Sequence, residues 1–261
     1  MLSRCAALLM FAVGCSAAPA VEWTSERTIA SPPDHPSLDA EGDTTHDALE
    51  GLAKGLRPSV PVCPGSLQLA RSGRALYAVW WSPRADSSAR LLAARSMNGG
   101  ASWSAPGTVD STDRSVAGCS RPPPSIAADS SGGYVHVSYG LVAPEGPGLF
   151  FAHSMDGGES FHSAVPILYG EHPGYSSVAA SGDLVAVAFE DPNGTVQRIG
   201  LALSGTMGHI FESRLLPVSD DNGAATKPLV AVRGRRISVA WTERAAPDGP
   251  VVLRVRAGIL H

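Results

Sequence analysis

Lysine is almost missing from this sequence, since Lys54 and Lys227 are the only lysines among its 20 basic residues. No three basic residues are consecutive, and the formal net charge is −4. The chain therefore lacks the basic patches that nucleic-acid binding requires, and we expect no nucleic-acid partner. Only 17% of the residues are charged while 44% are hydrophobic, which is enough to bury a substantial core in a chain of 261 residues.

Motifs for metals and cofactors are also missing. The sequence has no zinc-type Cys/His spacing, no phosphate-binding loop, no dinucleotide fingerprint and no Gly-x-Ser-x-Gly elbow. The acidic fragment at residues 220–223 lacks the remaining positions of a calcium loop. We therefore expect neither a cofactor nor a metal ion.

The N-terminus has the pattern of an export signal. Arg4 precedes an apolar run at residues 6–13, which is too short to span a bilayer. Two cleavage sites compete. Gly14-Cys15 after Ala12-Val13 resembles a bacterial lipobox and predicts a signal peptide at 1–14, a lipid on Cys15 and a tether at 15–22. The segment at 18–20 suits an ordinary signal peptidase and predicts a signal peptide at 1–20.

Both cleavage sites predict an exported protein. The first places it in the cell envelope as a lipoprotein of the outer membrane or periplasm, in contact with the membrane only through its lipid, and the second predicts a secreted protein. In either compartment Cys63 and Cys119 are the two cysteines left over from the signal and the lipidation site, and oxidising conditions favour their pairing as a disulfide. Two buried free thiols are the alternative.

An octapeptide recurs along the chain. Residues 154–161 read Ser-Met-Asp-Gly-Gly-Glu-Ser-Phe, residues 96–103 repeat the pattern with Asn98 in place of Asp156, and residues 204–211 keep its serine, second glycine and aromatic. The starting serines are 58 and 50 residues apart, a spacing typical of repeat architectures. The Asp or Asn side chain and the glycines are suited to a hairpin turn. Eleven positions carry this structural pattern: Ser96, Asn98, Gly100, Trp103, Ser154, Asp156, Gly158, Phe161, Ser204, Gly208 and Phe211.

This octapeptide closely resembles the Asp-box, or bacterial neuraminidase repeat, of β-propellers in the sialidase superfamily. The resemblance implies an all-β propeller in which the boxes are structural turns on the face away from the active site. Sialidases of this superfamily have six blades, and their Arg-Ile-Pro signature is absent here. The resemblance therefore implies the fold strongly and the reaction weakly.

The strands repeat in the same rhythm. A short apolar strand is followed by a strand of strict period two that ends on an aromatic, such as Val135-x-Val137-x-Tyr139, and this unit occurs four times. In the first unit the alternation is assigned to Tyr77, Val79 and Trp81. The fourth unit has no octapeptide, and residues 23–30 resemble the segment that follows one. We therefore predict about four blades within a single domain at 23–261, closed by the N-terminal strand, with a long loop at 31–62.

The candidate functional residues lie on the loops of the face opposite the octapeptides. A sialidase-like site needs three arginines that clamp a carboxylate, a tyrosine nucleophile with a glutamate, and an aspartate as acid and base. The residues of suitable type are Arg121, Tyr175, Glu190, Asp191, Glu243 and Arg244. Nothing in their spacing links them, so two functions are predicted. The first is a non-catalytic, monomeric binding or scaffolding module with a glycan or an envelope protein as partner, and the second is a sialidase-type exo-glycosidase.

Overall fold

The computed structural model describes residues 20–29, 55–56, 58–129, 133–220, 223–246 and 248–261. Within these ranges every regular element is a β-strand. The strands are β1 (Val21–Trp23), β2 (Arg27–Ile29), β3 (Gln68–Ser72), β4 (Ala75–Pro83), β5 (Ala89–Ser96), β6 (Gly107–Asp110), β7 (Ser125–Ala128), β8 (Val135–Ala143), β9 (Gly146–Ser154), β10 (Val165–Tyr169), β11 (Ser176–Ser181), β12 (Leu184–Glu190), β13 (Ile199–Ser204), β14 (Ser213–Pro217), β15 (Ala224–Arg233), β16 (Arg236–Arg244) and β17 (Val251–Leu260).

The strands form four antiparallel sheets, which are the blades of a β-propeller. Strands β3 to β6 form the first blade, β7 to β10 the second and β11 to β14 the third. The fourth blade contains β15, β16 and β17, and the N-terminal strands β1 and β2 pair with β17 as its outermost element. The prediction of about four blades, with the last completed by the N-terminal strand, is confirmed. Among the described residues there is no helix that could cross a membrane.

The octapeptides form turns built on one serine each. In the second turn Ser154 Oγ accepts a hydrogen bond from Gly158 N at 2.8 Å, and Asp156 Oδ1 accepts one from Ser160 N at 2.9 Å. Asn98 Oδ1 accepts the equivalent bond from Ser102 N at 2.9 Å in the first turn. In the third turn Thr206 takes the place of the acid, because its Oγ1 accepts a bond from Ile210 N at 3.0 Å.

The second and third turns also pack on the preceding blade. A Cβ on Gly158 would approach the ring of Tyr77 to 3.1 Å, and a Cβ on Gly208 would lie 2.4 Å from the ring of Phe151. Both glycines have positive φ, of 78° and 87°, so a side chain there would be strained as well as crowded. In these two turns the second glycine of the octapeptide is therefore fixed by both the backbone conformation and the aromatic ring of the neighbouring blade.

The core lies between the blades rather than within one of them. The face of the fourth blade that carries Ile237, Val239 and Trp241 packs on Ala188 and Leu201 of the third. The inner strands follow one another around the axis, with β3 packed against β7, β7 against β11 and β11 against β15. Serines connect them: Ser125 Oγ accepts a bond from Val178 N, and Ser177 Oγ one from Val230 N, both at 3.1 Å.

The alternation of the first blade differs from its sequence assignment by one residue. The serine that begins an octapeptide pairs with Leu76, Val135 and Val185 in the three blades that contain one. Leu76, Ala78 and Trp80 are therefore the equivalents of Val135, Val137 and Tyr139, and the assignment to Tyr77, Val79 and Trp81 was out of register. Both Trp80 and Trp81 are fully buried, so both faces of this strand are apolar and period two cannot distinguish them.

A disulfide joins Cys63 to Cys119 and spans 56 residues of sequence. It fixes the segment before β3 to the loop before β7, so it connects the first and second blades. The predicted loop at 31–62 lies mostly outside the described residues. In its described part Leu56, Val60 and Val62 pack against Trp80 of the first blade. The predicted signal peptide and Cys15 also lie outside the described residues.

Candidate functional site: the axial pocket

A pocket of about 470 Å³ lies where the inner strands begin. Each inner strand contributes one structurally equivalent residue to it, namely Gln68, Ser125, Ser177 and Leu229. The octapeptide turns lie at the opposite ends of the blades, where they bond to the turns between first and second strands, as in the hydrogen bond from Gly157 N to Gly133 O. The pocket is therefore on the face that the sequence assigns to function.

One wall of the pocket is unusually apolar. It is formed by the face of the fourth blade that does not pack on the third, and it includes Leu229, Ala240 and Leu253. Leu229 is 67% exposed although it is equivalent to the serines that connect the inner strands of other blades. An exposed apolar wall beside a few polar groups is typical of a pocket that binds a small ligand.

Tyr175 and Lys227 stand together at this pocket. The ammonium of Lys227 lies 5.9 Å from the centroid of the Tyr175 ring, within reach of a cation–π interaction. Tyr175 is 36% exposed, and Lys227 has a φ of 53°, which a non-glycine residue seldom adopts. An exposed aromatic ring and a positive charge are thus presented on the same side of the pocket.

Glu190 lies behind these two residues and holds them in place. Its Oε2 accepts a hydrogen bond from Tyr175 N at 3.0 Å, and its Oε1 accepts one from Lys227 N at 2.9 Å. Gln197 Nε2 donates a third, at 3.0 Å. Burial raises the pKa of Glu190, and these donors partly oppose that shift. Gly174 is required beside it, because a Cβ there would lie 2.0 Å from Glu190 Oε2.

Asp191 follows Glu190 in the sequence but does not line the axial pocket. Its Oδ2 forms an ion pair with Arg198 Nε at 2.9 Å, and its Oδ1 accepts a hydrogen bond from Asn193 N at 3.0 Å. These bonds close the turn between β12 and β13. The aspartate is thus occupied in stabilising a hairpin.

Arg121 is buried in the junction of the first two blades. Its Nη1 pairs with Asp113 Oδ2 at 2.8 Å, its Nε donates to Gly118 O at 2.7 Å, and its guanidinium lies 4.9 Å from the Trp81 ring centroid. The side chain is only 6% exposed. An arginine held in this way is unavailable as a surface clamp for a ligand.

Glu243 and Arg244 belong to the end of β16. Glu243 Oε1 pairs with Arg254 Nη2 at 3.0 Å, and its Oε2 accepts a hydrogen bond from Trp241 Nε1 at 3.2 Å. Arg244 Nη1 donates to Gly249 O at 3.0 Å. Glu243 therefore connects two strands of the fourth blade, and Arg244 closes the hairpin that follows.

The structure thus brings together two of the six candidate residues, Tyr175 and Glu190, and adds Lys227 to them. The sequence did not single out Lys227 as a candidate, although it is the one lysine of the predicted domain outside the 31–62 loop, which was a usable signal. Arg121, Asp191, Glu243 and Arg244 each serve a separate local network. In the described ranges no group of three or more His, Cys, Asp or Glu residues is arranged to hold a metal ion.

A second pocket, of about 360 Å³, lies on the rim between the first two blades. Asp110 lines it, but its Oδ2 accepts a hydrogen bond from Tyr139 Oη at 2.7 Å and its Oδ1 accepts one from Thr112 N, also at 2.7 Å. Burial raises the pKa of Tyr139, so the phenol remains a donor to this carboxylate. Both carboxylate oxygens of Asp110 are thus hydrogen-bonded within the protein. The axial pocket remains the better candidate for a ligand-binding site.

Comparison with known proteins identifies the fold only. No family model matches the sequence, and no match is found among curated proteins. The Hadza microbial sialidase Hz136 is 15% identical, with a TM-score of 0.51, over 72% of this chain and 43% of its own. A protein of unknown function from Dyadobacter fermentans is 17% identical, with a TM-score of 0.55, over 72% of this chain and 50% of its own.

A mutant of NanB sialidase from Streptococcus pneumoniae is similar in the same way. It is 13% identical, with a TM-score of 0.51, over 76% of this chain and 31% of its own. The chain thus spans half or less of the length of these structures. At such identities the likeness shows a sialidase-like β-propeller fold, and the activities of those proteins do not follow for this chain.

Proposed function

We propose that this chain is an exported β-propeller that binds a glycan in the axial pocket and catalyses no reaction. The observation that carries the proposal is the exposed ring of Tyr175 with the Lys227 ammonium beside it and an apolar wall around Leu229. Aromatic rings give a large contact area at low cost in conformational entropy, and the polar edge of a tyrosine can still form hydrogen bonds. A sugar ring offers both an apolar face and hydroxyl groups to such a site.

The absence of catalysis rests on how the charged candidates are used. A sialidase-like site needs convergent guanidinium groups for a carboxylate. Arg121 is instead paired with Asp113, and Arg244 is bonded to Gly249 O. A tyrosine nucleophile also needs a free base at its hydroxyl. Both carboxylate oxygens of Glu190 are bonded to N–H groups, so Glu190 acts here as a support for the pocket.

The remaining parts of the proposal concern family and location. We assign the three octapeptide turns as Asp-boxes of the sialidase superfamily, acting as structural turns. We place the protein in the cell envelope as a monomer, anchored by a lipid on Cys15, where an envelope protein is the alternative partner to a glycan. Metabolic labelling with a radioactive fatty acid tests the anchor: label should enter the full chain and be absent from Cys15→Ala.

Binding is tested by titrating immobilised neutral and sialylated oligosaccharides with the purified domain. We expect binding to at least one glycan class, with Tyr175→Ala lowering affinity tenfold or more. Tyr169→Ala is the matched control, because Tyr169 is also an exposed tyrosine but lies at the outer strand β10. Absence of binding across the panel, or equal losses in the two variants, would contradict the proposal.

A sialidase-type exo-glycosidase is the second candidate, and one observation favours it. Tyr175 lies next to Glu190, a buried carboxyl whose pKa is raised. A fluorogenic sialoside distinguishes the two functions. We expect no release of fluorophore above the buffer rate, whereas release that disappears in Tyr175→Phe would establish the enzyme.

A further inference from the structure

Four histidines meet between the second and third blades, at the end of the molecule opposite the axial pocket. His136 is on β8, His153 on β9, His162 follows the second octapeptide turn, and His209 lies within the third. His136 and His153 are directly opposed across the two strands. The histidine cluster, as we call these four residues, thus combines one pair within a sheet with two residues from turns.

The rings of the cluster are in close contact. The His153 ring centroid is 4.6 Å from that of His209 and 4.9 Å from that of His162. Tyr134 stacks on His136 with centroids 6.0 Å apart. On the other side His136 stacks on Phe151, at 5.8 Å, and Phe151 in turn contacts Phe211 of the third blade. The cluster is therefore part of the aromatic packing that holds two blades together.

Several nitrogens of the cluster have no partner. Both ring nitrogens of His136 and Nε2 of His153 are buried without a hydrogen bond. His136 is fully buried, and His153 is 4% exposed. Burying a neutral imidazole costs a modest amount of free energy, because its ring nitrogens lose their hydrogen bonds to water. An imidazolium carries a positive charge and a second N–H donor, and both need water or an acceptor.

The charges around the cluster oppose protonation more than they assist it. Asp129, in the connection between β7 and β8, is the acidic residue that acts on His136. When protonated, His153 and His209 repel a positive charge on His136. His209 and His162 likewise repel a positive charge on His153. Burial, and after it these neighbouring histidines, lower the pKa of both His136 and His153 to about 4.

We propose that the histidine cluster is an acid-sensitive lock, which holds the second and third blades together at neutral pH and releases their octapeptide-turn ends on protonation. Well above pH 6.5 the two buried histidines are neutral in both the folded and the unfolded chain, so no charge is buried on folding. Below it the unfolded chain takes up protons that the folded chain refuses, so stability falls as the pH drops towards about 4. The release begins at the second and third turns, because His162 and His209 join them to the cluster.

Histidine titration by NMR on the full folded domain is the direct test, since it needs no variant. We expect the signals of two histidines, His136 and His153, to titrate below pH 5. Hydrogen exchange at pH 7 and pH 4.5, corrected for intrinsic rates, should show protection lost first in residues 154–162 and 204–211. Titration of both His136 and His153 near 6.5, the ordinary pKa of histidine, or an even loss of protection over all four blades, would overturn the proposal.

Variants supply a second test through melting temperature. His153→Gln keeps a polar group of similar size but cannot take up a proton, so its melting temperature should fall less steeply than that of the unchanged protein between pH 6.5 and pH 4. His172→Gln is the matched control and should leave the slope unchanged. Equal slopes for the protein and His153→Gln would overturn the proposal.

Discussion

Glu190 Oε1 accepts a hydrogen bond from the backbone N–H of Lys227 at 2.9 Å, and this bond joins the third blade to the fourth at the edge of the axial pocket. The other oxygen of the same carboxylate holds Tyr175 N, so one buried group sets the positions of both exposed pocket residues. The proposed ligand site thus depends on a side chain that would not touch the ligand.

Glu190→Gln should therefore destabilise the protein. An amide can present only one acceptor oxygen to three N–H donors, and its NH₂ would face a donor. A buried donor without an acceptor costs about 1–3 kcal/mol. Chemical denaturation measures the loss, and Glu171→Gln, on an exposed glutamate, is the control. A change below about 0.5 kcal/mol in Glu190→Gln would contradict this view of the pocket.

The fold was predictable because its signals are local. The turn chemistry of Asp156 and Asn98 and the period-two strands each specify one hairpin, and their recurrence specifies a repeat. The register of the first blade was missed because Trp80 and Trp81 are both buried. A blade packed on both faces removes the contrast between apolar and polar positions on which alternation depends.

The same packing explains what sequence reasoning missed at the candidate sites. His136 occupies the polar position of its strand, where alternation predicts an exposed side chain, yet it is fully buried because the next blade covers that face. Glu190 and Glu243 were assigned to loops, although they lie at the ends of β12 and β16 and are buried there. Which loop charges converge depends on the arrangement of blades around the axis, and no single hairpin contains that information.

Asp156→Ala should lower stability by about 1–2 kcal/mol, because it removes the acceptor for Ser160 N and Glu159 N. Burial raises the pKa of Asp156, but the bonds from Ser160, Ser154 and Glu159 outweigh it and hold the pKa below its ordinary value. Asp156→Asn is the matched variant, since Asn98 already performs this role in the first turn. It should retain most of the stability when both are measured by thermal melting at pH 7.

Glycan binding should be unchanged in both Asp156 variants when it is measured well below their melting temperatures. The second turn lies at the end of the blades opposite the pocket. Loss of binding without loss of stability would make the turn a functional element and would contradict the assignment of faces.

The bond between Cys63 and Cys119 should stabilise the domain by roughly 4 kcal/mol through the loop it closes. Thiol titration of the unfolded, unreduced domain should find neither cysteine free. The double variant Cys63→Ala with Cys119→Ala should melt at the temperature of the reduced protein. A reactive thiol at either position, or identical melting with and without reductant, would exclude the pairing.

The N-terminal strand should be needed for the stability of the whole domain. Trp23 pairs with Gly258, and its ring lies 5.3 Å from the Arg256 guanidinium, at the edge of the core between the third and fourth blades. Trp23→Ala should cost about 3 kcal/mol, the lower end for a tryptophan because the side chain is only partly buried. A single, cooperative melting transition at lower temperature is the expected result.

Two shortened chains test the contribution of strands β1 and β2 separately from that of the Trp23 side chain. A chain that begins at Val21 keeps β1 and β2 and should melt like the mature protein, while a chain that begins at Ser31 lacks both. In the second chain β17 loses its outer partners, so a row of backbone N–H and C=O groups is exposed along the last blade. We expect it to melt at a clearly lower temperature or to aggregate. If the two chains melt alike, residues 21–29 are a linker and the completion of the fourth blade by the N-terminus contributes nothing to its stability.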